Sequence, residues 1–442
     1  MAPAEPKEAA AAPTETNTIL VLDRTADNKG YLAAFLVEDE SDKNDPYRLS
    51  LHEIASVPPA LEGLVVKECP AHLHPSRPVH AVISVKSGAG LAEAAWASVV
   101  RPLLELLQGL GDVQGREAPE GYRMLVTESE DSIKEFARTH LGAASSDAQP
   151  TVILLSGDGG ISDLLNGRDS DSPAPAPVVA PLPFGTGNAL FHSLHKPLYA
   201  SGASPLVLGL RTLWRGTPSG LPVFNARFPP GAKLVRAGVG PEGWGEEGLE
   251  DGILGAVVFS HGFHASLVWE SDTPQYRAHG AARFGMVAAE LLRESHAYEV
   301  VVSVRGPGSD VFRPLHRVSG EPSDGGEVSS VGYILVSLVS SLEKTFTISP
   351  RSEPLDGKLR LVHFGAVGGE RTMDIMKAAY AGGKHVEMED VGYEEIEELE
   401  VTIVGGDPRW RKVCIDGIIV DIPEGGKVRL VKADSPVSVL VQ

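Results

Sequence analysis

Through the first half of the chain the apolar positions fall into short runs rich in β-branched residues. Several of these runs are followed by a glycine or polar turn and then by a segment with helical spacing. Thr18–Leu22 and Tyr31–Val37 are two such runs, with a polar turn over 39–45, and they predict a β-rich extension over 17–78. From His80 the alternation becomes regular. Ala81–Val85 reads as a strand, 86–90 (KSGAG) as a loop, and Ala95, Val99, Leu103, Leu106 and Leu107 line one side of a helix. Tyr122–Val126 predicts a second strand and 132–141 a second helix. Val152–Leu155 has the continuous apolar character of a buried parallel strand and ends in Ser156-Gly157-Asp158-Gly159-Gly160, after which Ile161, Leu164 and Leu165 take helical spacing. Val178–Ala180 leads through prolines into Gly185-Thr186-Gly187-Asn188, and a helix follows over 203–213. Strand–helix alternation implies right-handed crossovers and a parallel sheet that binds ligands at the carboxyl ends of its strands.

The texture changes near residue 218. Pro222–Phe224, Leu234–Ala237 and Ile253–Val258 are short strand candidates, and this pattern runs to Val441 with one helical interruption. The fold class expected is therefore α/β plus β: a three-layer α/β nucleotide-binding domain over 79–217 and a β-sandwich domain over 218–442.

Composition narrows the partners. With 442 residues the chain can hold two ordinary domains, and its formal charge of −20 argues against nucleic acid as the main partner. Two cysteines, Cys69 and Cys414, cannot make a disulfide framework, so a reducing compartment is expected. No stretch is long and apolar enough for a transmembrane helix, and residues 1–16 read as a disordered tail without a signal pattern. Any membrane contact is expected to be peripheral and the location cytoplasmic. The segment 169–177 (DSDSPAPAP) reads as a solvated loop, His192 and His195 as helix-surface residues, and 387–400 as a solvated acidic face.

Two glycine loops after two apolar runs suggest a nucleotide cradle, because glycine lets backbone N–H groups approach a phosphate closely. In order and spacing, Ser156-Gly157-Asp158-Gly159, Asn166-Gly167 and Pro183-Phe184-Gly185-Thr186-Gly187-Asn188 resemble the motifs of the diacylglycerol and sphingosine kinase superfamily. The resemblance implies the two-domain plan with the active site in the cleft, and an ATP-dependent, magnesium-assisted transfer to a lipid hydroxyl at a membrane surface. It leaves the oligomeric state open, a homodimer included. It further implies phosphate contacts from the first loop (Ser87, Gly88, Gly90), from Thr127 after the second strand, and from Ser156, Gly157, Gly159, Gly185, Thr186, Gly187 and Asn188. Asp158 is the implied general base, and Asp163 occupies the position of an assisting acid one turn on.

The helical interruption 259–293 resembles a sphingosine kinase segment through Ser260, Gly262, Ala265, Glu270-Ser271, Tyr276-Arg277 and Arg283-Phe284. There Arg277 and Arg283 would hold the triphosphate, a role suited to the planar guanidinium fork. Ser266 stands where those kinases carry a head-group Asp, and Glu270 and Asp272 are the nearby acids that could compensate. Asp356 lies in a turn that is either structural or metal-touching, and Asp416-Gly417-Ile418 occupies a family D-G-E site, which implies an ATP contact from Asp416, with the last acid missing. Ala89, Gly160 and Ile418 depart from the family pattern. Three readings remain open: a lipid kinase acting on a sphingoid base, with diacylglycerol or ceramide as other acceptors; a non-catalytic nucleotide- or lipid-binding relative; and a soluble-nucleotide kinase of the NAD type.

Overall fold

The computed structural model describes residues 12–24, 29–74, 76–108, 122–142, 148–169, 172–235, 249, 252–280, 282–315 and 329–442. Its α/β half is built on a six-stranded sheet in the spatial order Arg123–Val126, Val79–Ile83, Thr151–Ser156, Val178–Pro183, Ser438–Val441, Thr217–Gly220. Neighbours run parallel except the last pair. Val152 to Leu155 are almost wholly buried, as a continuous apolar run between two helical layers requires. The first of these strands in sequence, Val79–Ile83, lies between the second and the third. The loops leaving Ile83 and Ser156 therefore diverge from a reversal in strand order, the place where open α/β sheets bind ligands.

The amino-terminal extension forms its own four-stranded sheet, Tyr47–Ile54, Tyr31–Glu38, Thr18–Asp23 and Val65–Val66. Ile19, Leu20 and Leu22 share a core with Ile83, Val99 and Leu206, while Leu61 and Leu64 cover Val21 and Ala33 on the other face. Of the expected tail, residues 1–11 lie outside the described residues, but residues 12–16 are anchored. Thr14 N donates to Asn17 Oδ1 at 2.7 Å, and the buried guanidinium of Arg211 donates to the carbonyls of Glu15 and Thr18. A buried guanidinium needs acceptors, and the chain entering the first strand supplies them.

The β half is a single 13-stranded antiparallel sheet, expected from sequence as a sandwich. Its path runs from Lys233–Val235 through Lys412–Ile415, Val258–Gly262 and Ser329–Ser337 to Val223–Arg227 and Ile253–Gly255. The sheet curls, so that Gly255 at one end packs against Phe224 and against Ile415 near the other end. The division expected at residue 218 needs one correction. Ser438–Val441, the last strand, inserts into the first sheet between Val178–Pro183 and Thr217–Gly220. Both halves thus share hydrogen-bonded strands. No helix among the described residues is long and apolar enough to cross a membrane.

Candidate active site

Three loops meet at the carboxyl ends of the parallel strands: 84–90, 156–160 and 183–188. Their contacts explain the glycines. A Cβ on Gly185 would lie 2.4 Å from the Gly157 Cα, and a Cβ on Gly88, which has φ +53°, would lie 2.5 Å from the Phe184 carbonyl oxygen. Side chains would hold these backbones apart. Hydroxyls tie the first two loops across the strand reversal: Ser87 Oγ donates to Ser84 Oγ at 2.8 Å and stands 3.3 Å from Ser156 Oγ. Thr127, buried after the neighbouring strand, accepts from Val85 N at 3.2 Å. In the third loop Asn188 is left-handed (φ 54°); its Oδ1 accepts from Gly185 N at 2.7 Å and its Nδ2 donates to the Gly185 carbonyl at 2.8 Å. Gly187 approaches the Leu342 carbonyl of the β half, and Thr186 is exposed at the tip.

Gly88, Gly90 and Gly159 are also exposed. Gly159 differs from the packed glycines, since a Cβ there would meet nothing within 4 Å. Protein packing does not require a glycine at this place, in the first turn of the helix Asp158–Gly167. Leaving it bare opens the helix amino terminus, which favours an anion. The departure at Gly160 has a packing cause: a Cβ would fall 2.6 Å from Ser156 Oγ.

Asp158 is not a free carboxylate. Its oxygens accept from Ala189 N at 2.7 Å and Leu190 N at 2.9 Å, the first amides of the helix Ala189–His195. Asn188 makes no side-chain cap to that helix, so Asp158 caps it from another element. Burial pushes the Asp158 carboxyl above its ordinary pKa, while these amides pull it down. Asp163 is half-buried on the helix that Asp158 begins.

The Asn-Gly pair at that helix's end is structural. Asn166 Oδ1 accepts from Leu254 N and its Nδ2 donates to the Leu254 carbonyl, both at 2.9 Å, which clamps the two halves together. Gly167 admits the Lys134 carbonyl, 2.3 Å from where a Cβ would be. Ser193 and Lys196 add bonds across the same seam, to Ser341 and to Ser341 and Thr347 respectively. His192 and His195, expected on the surface, are buried. His192 Nδ1 lies 2.5 Å from Tyr199 Oη, His195 Nε2 lies 2.8 Å from Thr212 Oγ1, and burial depresses both to a pKa of about 4.

Asp416, expected at the nucleotide, serves the backbone instead. It is left-handed (φ 49°), and its carboxylate accepts from Ala256 N at 2.6 Å, Val257 N at 3.0 Å and Val258 N at 2.7 Å. Burial, with a smaller contribution from the Asp158 charge, raises its pKa to about 7 against the pull of these amides. Asp356 is likewise a turn residue, accepting from Lys358 N and pairing with Arg360 at 2.7 Å.

The segment carrying the arginines reaches toward the first half. Arg277 places Nη1 3.4 Å from Glu130, in the loop after Thr127, but its fork is taken by Asp272, at 2.9 Å from Nε and 2.7 Å from Nη2. Arg283 Nη2 lies 3.9 Å from the same carboxylate. The two residues expected at the acceptor are both engaged. Ser266 is buried with its hydroxyl 2.9 Å from Tyr298 Oη, and Glu270 pairs with Arg409 at 2.9 and 3.3 Å. Sequence reasoning weighed Asp272 only as an acid for the acceptor head group, not as the partner of Arg277, and it missed Glu130 and the Ala189 and Leu190 amides. Only the three-residue offset from Gly185-Thr186-Gly187 hinted at a helix start there.

Among the described residues no group of three or more His, Cys, Asp or Glu is placed to hold a metal ion. No curated protein matches the sequence. Two solved structures named as diacylglycerol kinases of Bacillus anthracis strain Sterne share the fold. One is 12% identical, with 83% of this chain and 97% of that chain covered at a TM-score of 0.50; the other is 12% identical, with 83% and 95% covered at 0.53. Residues 78–212, which carry all three glycine loops and Asp158, match the family model of the diacylglycerol kinase catalytic domain.

Proposed function

We propose that the protein is an ATP-dependent kinase that phosphorylates the hydroxyl of a lipid. The observation that carries this reading is the meeting of three glycine loops at a strand reversal, with exposed glycine backbone and an open helix amino terminus on one side and a fixed carboxylate on the other. Phosphoryl transfer asks for positioning and charge balance more than covalent chemistry. The loop amides would bind the phosphates, Thr186 and Ser87 would offer hydroxyls, and Arg277 and Arg283 would close over them from the β half. Magnesium, when bound, would balance phosphate charge. Asp158, oriented by two amides, keeps lone pairs with which to orient the acceptor hydroxyl and take its proton.

For the acceptor we favour a neutral lipid alcohol of the diacylglycerol or ceramide kind over a cationic sphingoid base. Ser266 carries no charge, and the Glu270 carboxylate is held by Arg409, so neither offers a free anion to an ammonium group. The test is incubation with labelled ATP and, in identical micelles, a diacylglycerol, a ceramide and a sphingoid base, with NAD as a soluble control. The expected result is labelled neutral lipid in excess over labelled sphingoid base. A hundredfold preference for the sphingoid base would overturn the acceptor assignment. Label on NAD alone would overturn lipid specificity, and no product with ATP still bound would favour a non-catalytic binder.

A further inference from the structure

We infer that Asp272 is a tethered competitor for phosphate: it parks the guanidinium groups of Arg277 and Arg283, and an incoming phosphate must displace it. The inference rests on the nucleotide reading above and adds a regulatory element to that site. Two guanidiniums converge on one carboxylate. Arg277 gives it a two-point fork at 2.9 and 2.7 Å, and Arg283 stands at 3.9 Å. Donor capacity exceeds what one carboxylate can use. Arg283 Nε is buried and has no hydrogen-bond partner, a cost that a larger anion with three oxygens could relieve. The Arg283 guanidinium also lies 4.9 Å from the Phe284 ring centroid, which limits where it can turn.

Charge balance points the same way. Arg277 and Arg283 carry two positive charges; Asp272 and Glu130, the second at 3.4 Å from Arg277, carry two negative ones. The cluster as it stands is neutral and has no excess charge with which to attract a phosphate. Asp272 and Arg277 are each about two-fifths exposed, 41% and 43% at the side chain, so the pair between them is solvent-screened and readily exchanged. A phosphate would bind the same fork with more charge and more acceptors.

The fold leaves room for the exchange without disturbing the core. The seam between the halves is fixed by Asn166, Ser193, Lys196 and the inserted last strand. Among the described residues, the segment from Asp272 to Arg277 meets the first half through an ion pair of Arg277 with Glu130. Its helix, Pro274–Arg277, is only four residues long and buries none of them. Exchanging Asp272 for phosphate would therefore move this short segment and leave the core in place.

The test is calorimetric titration of the full chain with two probes, a non-hydrolysable ATP analogue with magnesium and inorganic tripolyphosphate. It uses Asp272→Asn, which keeps the shape and removes the charge, Arg277→Ala, and the double variant. Asp272→Asn should tighten at least one probe by about fivefold at low salt, with the gain shrinking as salt rises, and should give no gain in the Arg277→Ala background. Tighter tripolyphosphate binding with no binding of the ATP analogue would support the competitor role while overturning the nucleotide reading. An ATP analogue that binds the parent but binds Asp272→Asn no better, with tripolyphosphate also unchanged, would overturn the competitor role and leave the nucleotide reading standing. An equal gain with and without Arg277 would also overturn it. No binding of either probe to any variant would overturn both. Thermal melts of Asp272→Asn, expected to match the parent, check that the fold is intact.

Discussion

The two sides of the candidate site are held by different means. On the α/β side the loops are fixed by backbone against backbone: Gly157 against Gly185, Gly88 against Phe184, Asp158 against two amides. On the β side the charged residues of 266–283 are fixed by one another and by distant partners: Arg277 by Asp272, Glu270 by Arg409. The first arrangement is short-range and costly to alter, since a displaced backbone atom disturbs every loop it touches. The second is partly exposed and exchangeable. One side is therefore a rigid cradle, and the other is adjustable.

The sharpest challenge to that contrast is Asp158→Asn. The notional base and the helix cap are the same group, so the substitution touches chemistry and scaffold together. An amide has one oxygen where the carboxylate has two, and its NH2 would face an amide N–H. Turnover should fall by about 10²–10⁴, and stability should fall by about 1–2 kcal/mol from the damaged cap. Kinetics and a denaturant melt on the same preparation separate the two effects. Activity within twofold of the parent would remove Asp158 from the chemistry, while a normal rate with a lowered melt would leave it as a cap alone.

A pair of glycines within one cradle tests whether packing or ligand access demands them. Gly185→Ala drives a Cβ to 2.4 Å from Gly157 and should cost at least about 1–3 kcal/mol. Gly159→Ala meets nothing and lies in a helical first turn, so stability should hold or rise by about 0.4–1 kcal/mol. Yet a methyl at that exposed terminus would stand in the way of phosphate, and binding of an ATP analogue should weaken. Equal melting temperatures for the two variants would show that close approach is not what fixes the cradle.

This contrast also accounts for what the sequence made legible. Glycine loops, strand runs and the helix after Asp158 depend on neighbours in the chain or on backbone geometry that one residue type satisfies, and their spacing survives in the sequence. The buried positions of His192 and His195 were not legible, because Tyr199 and Thr212 accept them only once the following helix has packed. Asp416 read as a nucleotide contact since the turn sequence says nothing of the three amides, of Ala256, Val257 and Val258, that its carboxylate meets far upstream. The parallel insertion of Ser438–Val441 was invisible for the same reason: a four-residue strand with three apolar residues looks alike in either sheet.

Asp416 offers a test by pH, with the sign set by its raised pKa. The ordinary value is 3.8 and the folded value about 7. Between the two the folded chain keeps a proton that the unfolded chain has lost, so this group stabilises most below about pH 4. Its contribution declines as pH rises and is gone once pH has passed through 7. Asp416→Asn has no such titration. Denaturant midpoints at pH 5, 6, 7 and 8 should show the parent losing stability relative to the variant up to about 7 and levelling above it. Absolute stability will be lower in the variant, because one amide oxygen replaces two acceptors, so only the slope is informative. Parallel curves across that range would mean that Asp416 is ionised throughout.

The smallest effect expected is at Glu270, and it bears on the adjustable side. The Glu270 side chain is 15% exposed and Arg409 39%, and Arg409 has a second partner in Glu294 at 3.0 Å and a stacking surface on Trp410. Removing one carboxylate charge therefore leaves the guanidinium partly compensated. Glu270→Gln keeps the side-chain shape and one acceptor, and should cost no more than about 1 kcal/mol, read as a small fall in the denaturant midpoint. If Glu270 serves only Arg409, the ratio of turnover on a sphingoid base to turnover on a diacylglycerol should not move. A selective loss on the sphingoid base would show that Glu270 leaves Arg409 to meet the ammonium group, as Arg277 is inferred to leave Asp272 for phosphate. Glu270 would then join the exchangeable pairs of this segment, and the acceptor proposed here would have to be revised toward the cationic lipid.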